Sequence, residues 1–350
     1  MNEEPDAAML KFGIMPPIAQ RGMGLDRLLS EIVEEAQQAE AFGFSSVFLG
    51  EHHQQKADCL TSPLLLAMAL ATQTKRIQIG TGVLIAPLYH PVHVAEDVAL
   101  IDIASGGRFI LGLGAGVEPA DFTAFDVPRA ERIARTEEFI AILRRCWAEN
   151  VFSYHGAHYH FENVRINPKP FQKPHPPVWL GGSVEAAVAR AAHLADGWYI
   201  DPNLPPLVAK QMTGRYRDLC DQRGVTPHVA VMREGWVAET KEQALAEYKP
   251  HLLSLYRHYW SLGHFTERHH PWVKEIESAD QLTIEHFGPN HFIIGSPEDC
   301  IRQAEWWRKE VGVEQIIICF RQHNGPAHER VMETLRLFGE AVIPYVGRAG

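Results

Sequence analysis

The chain reads as a series of short apolar runs, each followed by a longer stretch whose apolar positions recur at helical spacing. Leu10–Met15, with Gly13 inside it and Pro16-Pro17 behind it, predicts a buried strand. Over Asp26–Ala41 the residues Leu28, Leu29, Ile32, Val33, Ala36 and Ala39 share one helical face, and Gly43 stands where a helix end favours positive φ. Ser46–Leu49 is a second strand and runs into Glu51-His52-His53. The unit then repeats. A helix starts at Ser62-Pro63, where a proline in the first turn gives up no hydrogen bond. Ile77–Ile85 is a strand, Val92–Ala104 a helix, Phe109–Leu113 a strand and Arg129–Trp147 a long helix. Each strand is almost wholly apolar, as a strand buried on both faces should be.

The middle of the chain changes rhythm. Phe152–Phe161 predicts two short strands around a His155-Gly156 turn. Pro168–Pro177 holds five prolines in ten residues and reads as an ordered connector into the strand Val178–Leu180. That strand ends in Gly181-Gly182-Ser183 and a helix to Ala195. Gly197–Ile200, a helix over Pro206–Arg223, His228–Ala238, a helix over Pro297–Val311 and Ile316–Phe320 complete the series. Eight strands alternating with helices predict an α/β fold, a (β/α)8 TIM barrel with a hairpin before strand 5. A long stretch from Lys241 to Asn290 lies between strands 7 and 8. It is too large for one crossover helix and carries seven aromatic residues from Tyr248 to Phe287, which points to an insertion over the barrel mouth. Residues 1–350 read as one domain. A doubly wound two-domain fold lacks its G-x-G-x-x-G opening after strand 1.

Composition narrows the function classes. Hydrophobic residues make up 46% and charged residues 22% of 350, which excludes a disordered or collagen-like chain. The most apolar stretch, Pro63–Ala71, is far short of the roughly 20 residues a bilayer span needs, and Met1–Glu4 is acidic where a secretory signal is basic. A formal charge of −10 without a basic stripe disfavours nucleic acid and anionic membranes. Five well-separated cysteines form neither a disulfide framework nor a zinc motif, and suit a reducing cytoplasm.

In a barrel the loops at the C-terminal strand ends build the active site. Strand 2 ends at His52 and His53, where an imidazole can be a base, a hydrogen-bond donor or a metal ligand. A satisfied loop histidine is the plain alternative, and no HExxH spacing supports metal. Strand 3 carries Gly80, Gly82 and Val83. Strand 4 ends in Gly112, Gly114, Ala115 and Gly116, where missing side chains let something flat or anionic approach, or simply make a turn. Strand 5 ends in Gly181, Gly182 and Ser183 and opens a helix, whose free N–H groups suit a phosphate. A rival anion site at Gly295-Ser296 is poorer: Pro297 has no N–H, Ser296 reads as an N-cap, and Glu298 and Asp299 add negative charge. Together these ends suit a planar phosphorylated cofactor across the mouth.

With those residues in view, the chain resembles the bacterial-luciferase-like family of flavin-dependent monooxygenases from Leu10 to Tyr345. The resemblance is carried by Leu10–Gly13, Phe44–His53, Ile79–Pro87, His90-Pro91-Val92, Ala95–Val98 and Ser105–Phe109. It continues through Asn167–Pro170, Gly181–Ser183, Ala195–Trp198, Gly295–Glu298, Leu337-Phe338 and Pro344-Tyr345. It implies a TIM barrel that binds reduced FMN, reacts it with O2 to a flavin C4a-peroxide and oxygenates a small organic molecule. It implies His52 as the catalytic histidine, and flavin contacts at Gly82, Val83, Gly114, Ala115, Gly116, Gly181, Gly182 and Ser183. It also implies a non-proline cis bond at Gly82–Val83, a separate NAD(P)H:flavin reductase as partner, and a homodimer through the helices after strands 2 and 3. Two departures stand out: the luciferase subunit's cysteine and phosphate-binding arginine match Gly114 and Ala115. Light emission is therefore not expected, and Arg190 is a weak substitute for the missing charge. Relatives that use the deazaflavin F420 for hydride transfer are the first alternative and a non-catalytic flavin-binding protein the second; a metal-dependent hydrolase is a third. The aromatic stretch Tyr248–Trp272 suggests an apolar lid and a neutral, apolar substrate, although core packing explains it equally well.

Overall fold

Short β-branched and aromatic runs with few polar positions have nowhere to go but the centre of an α/β layer, and that is where they lie in the computed structural model, which describes residues 9–55 and 58–347. The barrel strands are β1 (Lys11–Ile14), β2 (Ser46–Leu49), β3 (Gln78–Thr81), β4 (Phe109–Gly114), β5 (Val178–Gly181), β6 (Gly197–Ile200), β7 (Val229–Val237) and β8 (Gln315–Cys319). All pair in parallel in chain order. The barrel closes where β8 pairs with β1, Phe12 opposite Ile316 and Ile14 opposite Ile318. Between them run α1 (Leu25–Ala41), α2 (Pro63–Gln73), α3 (Pro91–Ser105), α4 (Arg132–Ala148), α5 (Glu185–Leu194), α6 (Pro206–Gln222), α7 (Lys241–Ser261), α8 (Pro297–Trp306) and, after β8, α9 (His328–Ala341). No helix among the described residues is long and apolar enough to cross a membrane. Met1–Glu4 falls outside the described residues.

The period-2 alternation of each strand splits the core in two. Phe48, Ile110, Trp179, Tyr199, Ala230, Met232, Ile317 and Cys319 point inward and fill the barrel, with Phe48 stacked on Trp179 at 5.3 Å. The alternate positions, among them Phe12, Val47, Leu49, Leu111, Trp198 and Ile316, pack outward against the helices.

Four elements differ from the sequence reading. The run Ile77–Ile85 is not one strand: it breaks at Gly82–Val83, whose peptide bond is cis as the resemblance implied, and resumes as Leu84–Ile85 beside β4. The stretch from Lys241 begins with the 21-residue α7, which contains Pro250. The short strand Ile293–Gly295 pairs with the upper half of β7. Pro119–Ala124 forms a short helix after β4. The predicted hairpin is present as Phe152–His155 against His160–Val164.

Candidate active site

Glu51 organises the end of β2. The carboxylate is buried and accepts three short hydrogen bonds, from the Ile85 amide, the Tyr89 hydroxyl and His53 Nε2, each at 2.6 Å. It thereby ties the β2 loop to the far side of the cis bond. His53 is consumed by this contact: the bond to Glu51 raises its pKa above the ordinary histidine value, and its ring lies 4.7 Å from that of Phe125. A half-buried, partnered His53 is a positioning element.

His52, one residue earlier, is different. Its side chain is exposed to solvent at the end of β2, yet neighbouring protein crowds and desolvates the ring. That crowding disfavours the imidazolium and lowers its pKa; Asp121, Glu51 and Glu118 pull the other way without winning. Asp121, on the short helix after β4, is buried with Oδ1 unpartnered, and its own pKa is raised by burial. Among the described residues no group of three or more His, Cys, Asp or Glu side chains is arranged to hold a metal ion.

The glycines at the strand ends have a role that the sequence did not show. A Cβ on Gly114 would lie 2.5 Å from Val83 Cγ2, and one on Gly112 or Gly181 would touch Val83 Cγ1 at 3.6 and 3.5 Å. These glycines form the socket in which the Val83 side chain sits. Gly116 is likewise backed by Ile85 and Phe122, while Ala115 beside it is partly exposed. Gly82 faces Met15 and the Tyr199 hydroxyl, which stands 3.1 Å from where its Cβ would be.

At the end of β5, Gly182 has φ +153° and leaves room for Ala187, and its carbonyl accepts a 2.9 Å bond from Trp198 Nε1. Helix α5 has no side-chain N-cap, and no hydrogen bond within the described residues occupies the Ser183 hydroxyl, which is partly exposed. These donors fit a phosphate. Glu185 in the first turn opposes one, and Arg190 gives no help because it is bound to Glu137 at 2.7 Å. The rival turn is closed: Ser296 and Asp299 cap each other reciprocally.

The other side of the mouth is more polar than expected. Asp201 at the end of β6 and Glu234 on the inward face of β7 are carboxylates that sequence reasoning missed. Tyr259 and His264, the latter 3.3 Å from Glu118, come from the insertion. The insertion's aromatic residues Tyr256, Phe265, Trp272 and Phe287 pack mainly on one another and on Phe292 just beyond it, so the core explanation holds for them. His270 is buried against Phe265 and Trp272.

Comparison with known proteins places this geometry. The family model for luciferase-like monooxygenases matches residues 10–315. The chain is 27% identical over 228 residues to the oxygenase component of the flavin-dependent trigonelline monooxygenase of Acinetobacter baylyi, spanning 62% of each chain, so the alignment leaves out over a third of that relative. It is 26% identical to the F420-dependent glucose-6-phosphate dehydrogenase of Microbacterium testaceum, over 96% of this chain and 97% of the other. The crystal structure of monooxygenase RslO1 from Streptomyces bottropensis superposes with a TM-score of 0.83 at 24% identity, over 96% and 99% of the two chains.

Proposed function

This chain belongs to the luciferase-like monooxygenase family, and on that premise we propose that it uses reduced FMN and O2 to oxygenate a small organic substrate. The observation that carries the reading is His52: a reachable imidazole at the mouth, lowered in pKa by crowding so that it is neutral and able to take a proton near pH 7. When bound, reduced FMN supplies the electrons that activate O2. Ser183, the Gly182 backbone and the amides opening α5 would hold its phosphate. Val83, seated on Gly112, Gly114 and Gly181, presents a fixed apolar wall to the ring. His52 would move the proton.

F420-dependent hydride transfer is the second reading, favoured by the near full-length match to an F420-dependent relative. Anaerobic titration decides between them. Reduced FMN should quench tryptophan fluorescence with saturable binding; a response to reduced F420 alone contradicts the proposal. Incubation with photoreduced FMN, O2 and a substrate panel should then give products one oxygen heavier by mass.

The family's requirement for reduced flavin makes a separate NAD(P)H:flavin reductase the proposed partner. A homodimer is proposed through α2 and α3. Both helices are apolar around most of their circumference, with Leu65 73% and Leu100 52% exposed. Residues this apolar on an outer helix face call for cover.

A further inference from the structure

The inward positions at the tops of β6 and β7 carry Tyr199, Asp201, Met232 and Glu234, two residues apart on each strand as the pleat requires. Asp201 is partly exposed yet enclosed by protein, like His52. One oxygen accepts the Asn203 amide at 2.8 Å, and no Lys, Arg or His nitrogen among the described residues lies within ion-pair distance of it. Arg233 and His264 lower the Asp201 pKa from beyond ion-pair distance, but the Arg233 guanidinium points outward, donates to the Pro202 and Leu204 carbonyls, and lies over the Trp307 ring at 4.4 Å. Burial therefore raises the Asp201 pKa and pushes that of Glu234 up to about 7. Two further atoms at this corner lack partners. The Tyr199 hydroxyl, on a residue 5% exposed, and Glu234 Oε1, on a residue with no exposed surface, make no hydrogen bond, although Tyr256 donates to Glu234 Oε2 at 2.7 Å. Tyr259 and, stacked on it at 5.2 Å, His264 add aromatic walls.

A carboxylate enclosed by protein is costly unless a cation pairs with it. Among the described residues no Lys, Arg or His side chain comes within ion-pair distance of Asp201; Arg233 and His264 act on it only from farther away. We infer that the β6–β7 corner, with Asp201 at its centre and Tyr199, Glu234 and Tyr259 around it, is the substrate-recognition subsite and takes an organic cation with a protonated nitrogen. The inference rests on the monooxygenase reading for the identity of the ligand as substrate, and it replaces the neutral, apolar substrate that the aromatic stretch suggested. Aromatic faces beside a carboxylate suit an alkylated ammonium group, and a charge-assisted bond to Asp201 would orient the remainder of the molecule toward Val83 and His52.

The test is calorimetric titration of the FMN-loaded enzyme with primary amines and their alcohol isosteres, from ethylamine and ethanol to benzylamine and benzyl alcohol. The best-fitting amine should bind about 10-fold or more tightly than its alcohol, since charged hydrogen bonds are about twice as strong as neutral ones. Asp201→Asn should abolish that preference while leaving the Kd for FMN, read by flavin fluorescence, unchanged. Equal binding of amine and alcohol, binding of neither, or a preference that survives Asp201→Asn overturns the inference. Loss of FMN binding in the unaltered protein is a separate result, which overturns the flavin reading; repeating the amine titration without FMN then judges the subsite alone.

Discussion

His52 and His53 are neighbours in the chain with opposite fates. The pKa of His53 is raised by Glu51 and its ring is fixed; the pKa of His52 is lowered by crowding and its ring is reachable. Only the second can exchange protons with a bound molecule. His52→Ala should lower turnover on the order of 10²-fold while FMN binding survives; turnover within a few-fold of the parent would make His52 a bystander. A base works in its neutral form, so activity should hold down through pH 6.5 and fall only below that ordinary histidine value. Asp121 acts to raise the His52 pKa, so Asp121→Asn should move the acidic limb lower still. The proton NMR titration of the His52 ring, followed beside the kcat/KM profile, checks both. His52 was legible because its motif lies at a strand end. Asp201 and Glu234 were not: Asp201 begins a proline-rich loop like an ordinary turn residue, and Glu234 looks like a break in an apolar run. Their meaning depends on which way the pleat turns them.

At the scale of elements, the link between α1 and the end of β8 is the most demanding. Arg321, 1% exposed, reaches Glu31 and Glu35 of α1, with His328 beside them. Among the described residues, Arg321→Met leaves buried Glu31 hydrogen-bonded only to Arg27 and buried Glu35 only to His328, and should destabilise the fold by about 3 kcal/mol, read from the shift of the denaturant midpoint. Burial alone would raise the Glu31 pKa, but the bonds from Arg321 and Arg27 outweigh it and hold it below the ordinary value. A depressed carboxylate contributes stability above its unfolded pKa and loses it as pH falls through the folded one. Acid should therefore weaken the parent more than the variant; equal acid sensitivity would argue against the network. Most elements were visible in the hydrophobic period. Helix α7 was not, because Pro250 interrupts a stretch that also lacks a clean apolar face, and tertiary packing of Tyr248, Leu252 and Tyr256 overrides the proline.

For the whole molecule, the order of strand and helix units was enough to predict the barrel, because a parallel strand buried on both faces has few other architectures open to it. How the mouth is finished depended on contacts distant in sequence: Glu51 with Ile85, His264 with Glu118, Val83 with three glycines from two strands. Assembly belongs to this scale too. Leu100→Glu combined with Leu65→Glu should convert a dimer to a monomer by light scattering, with the barrel still folded by circular dichroism. An unaltered protein that is monomeric at micromolar concentration would contradict the proposed interface.

The central claim is that the rim holds a flavin by its phosphate at the β5 turn, with the ring against Val83 and beside His52. A crystal structure of the complex with FMN tests it most directly. The account predicts phosphate oxygens within hydrogen-bond distance of Ser183 and the amides opening α5, and the ring stacked on Val83 with His52 at its edge. FMN bound elsewhere, or a mouth left empty at saturating FMN, contradicts it.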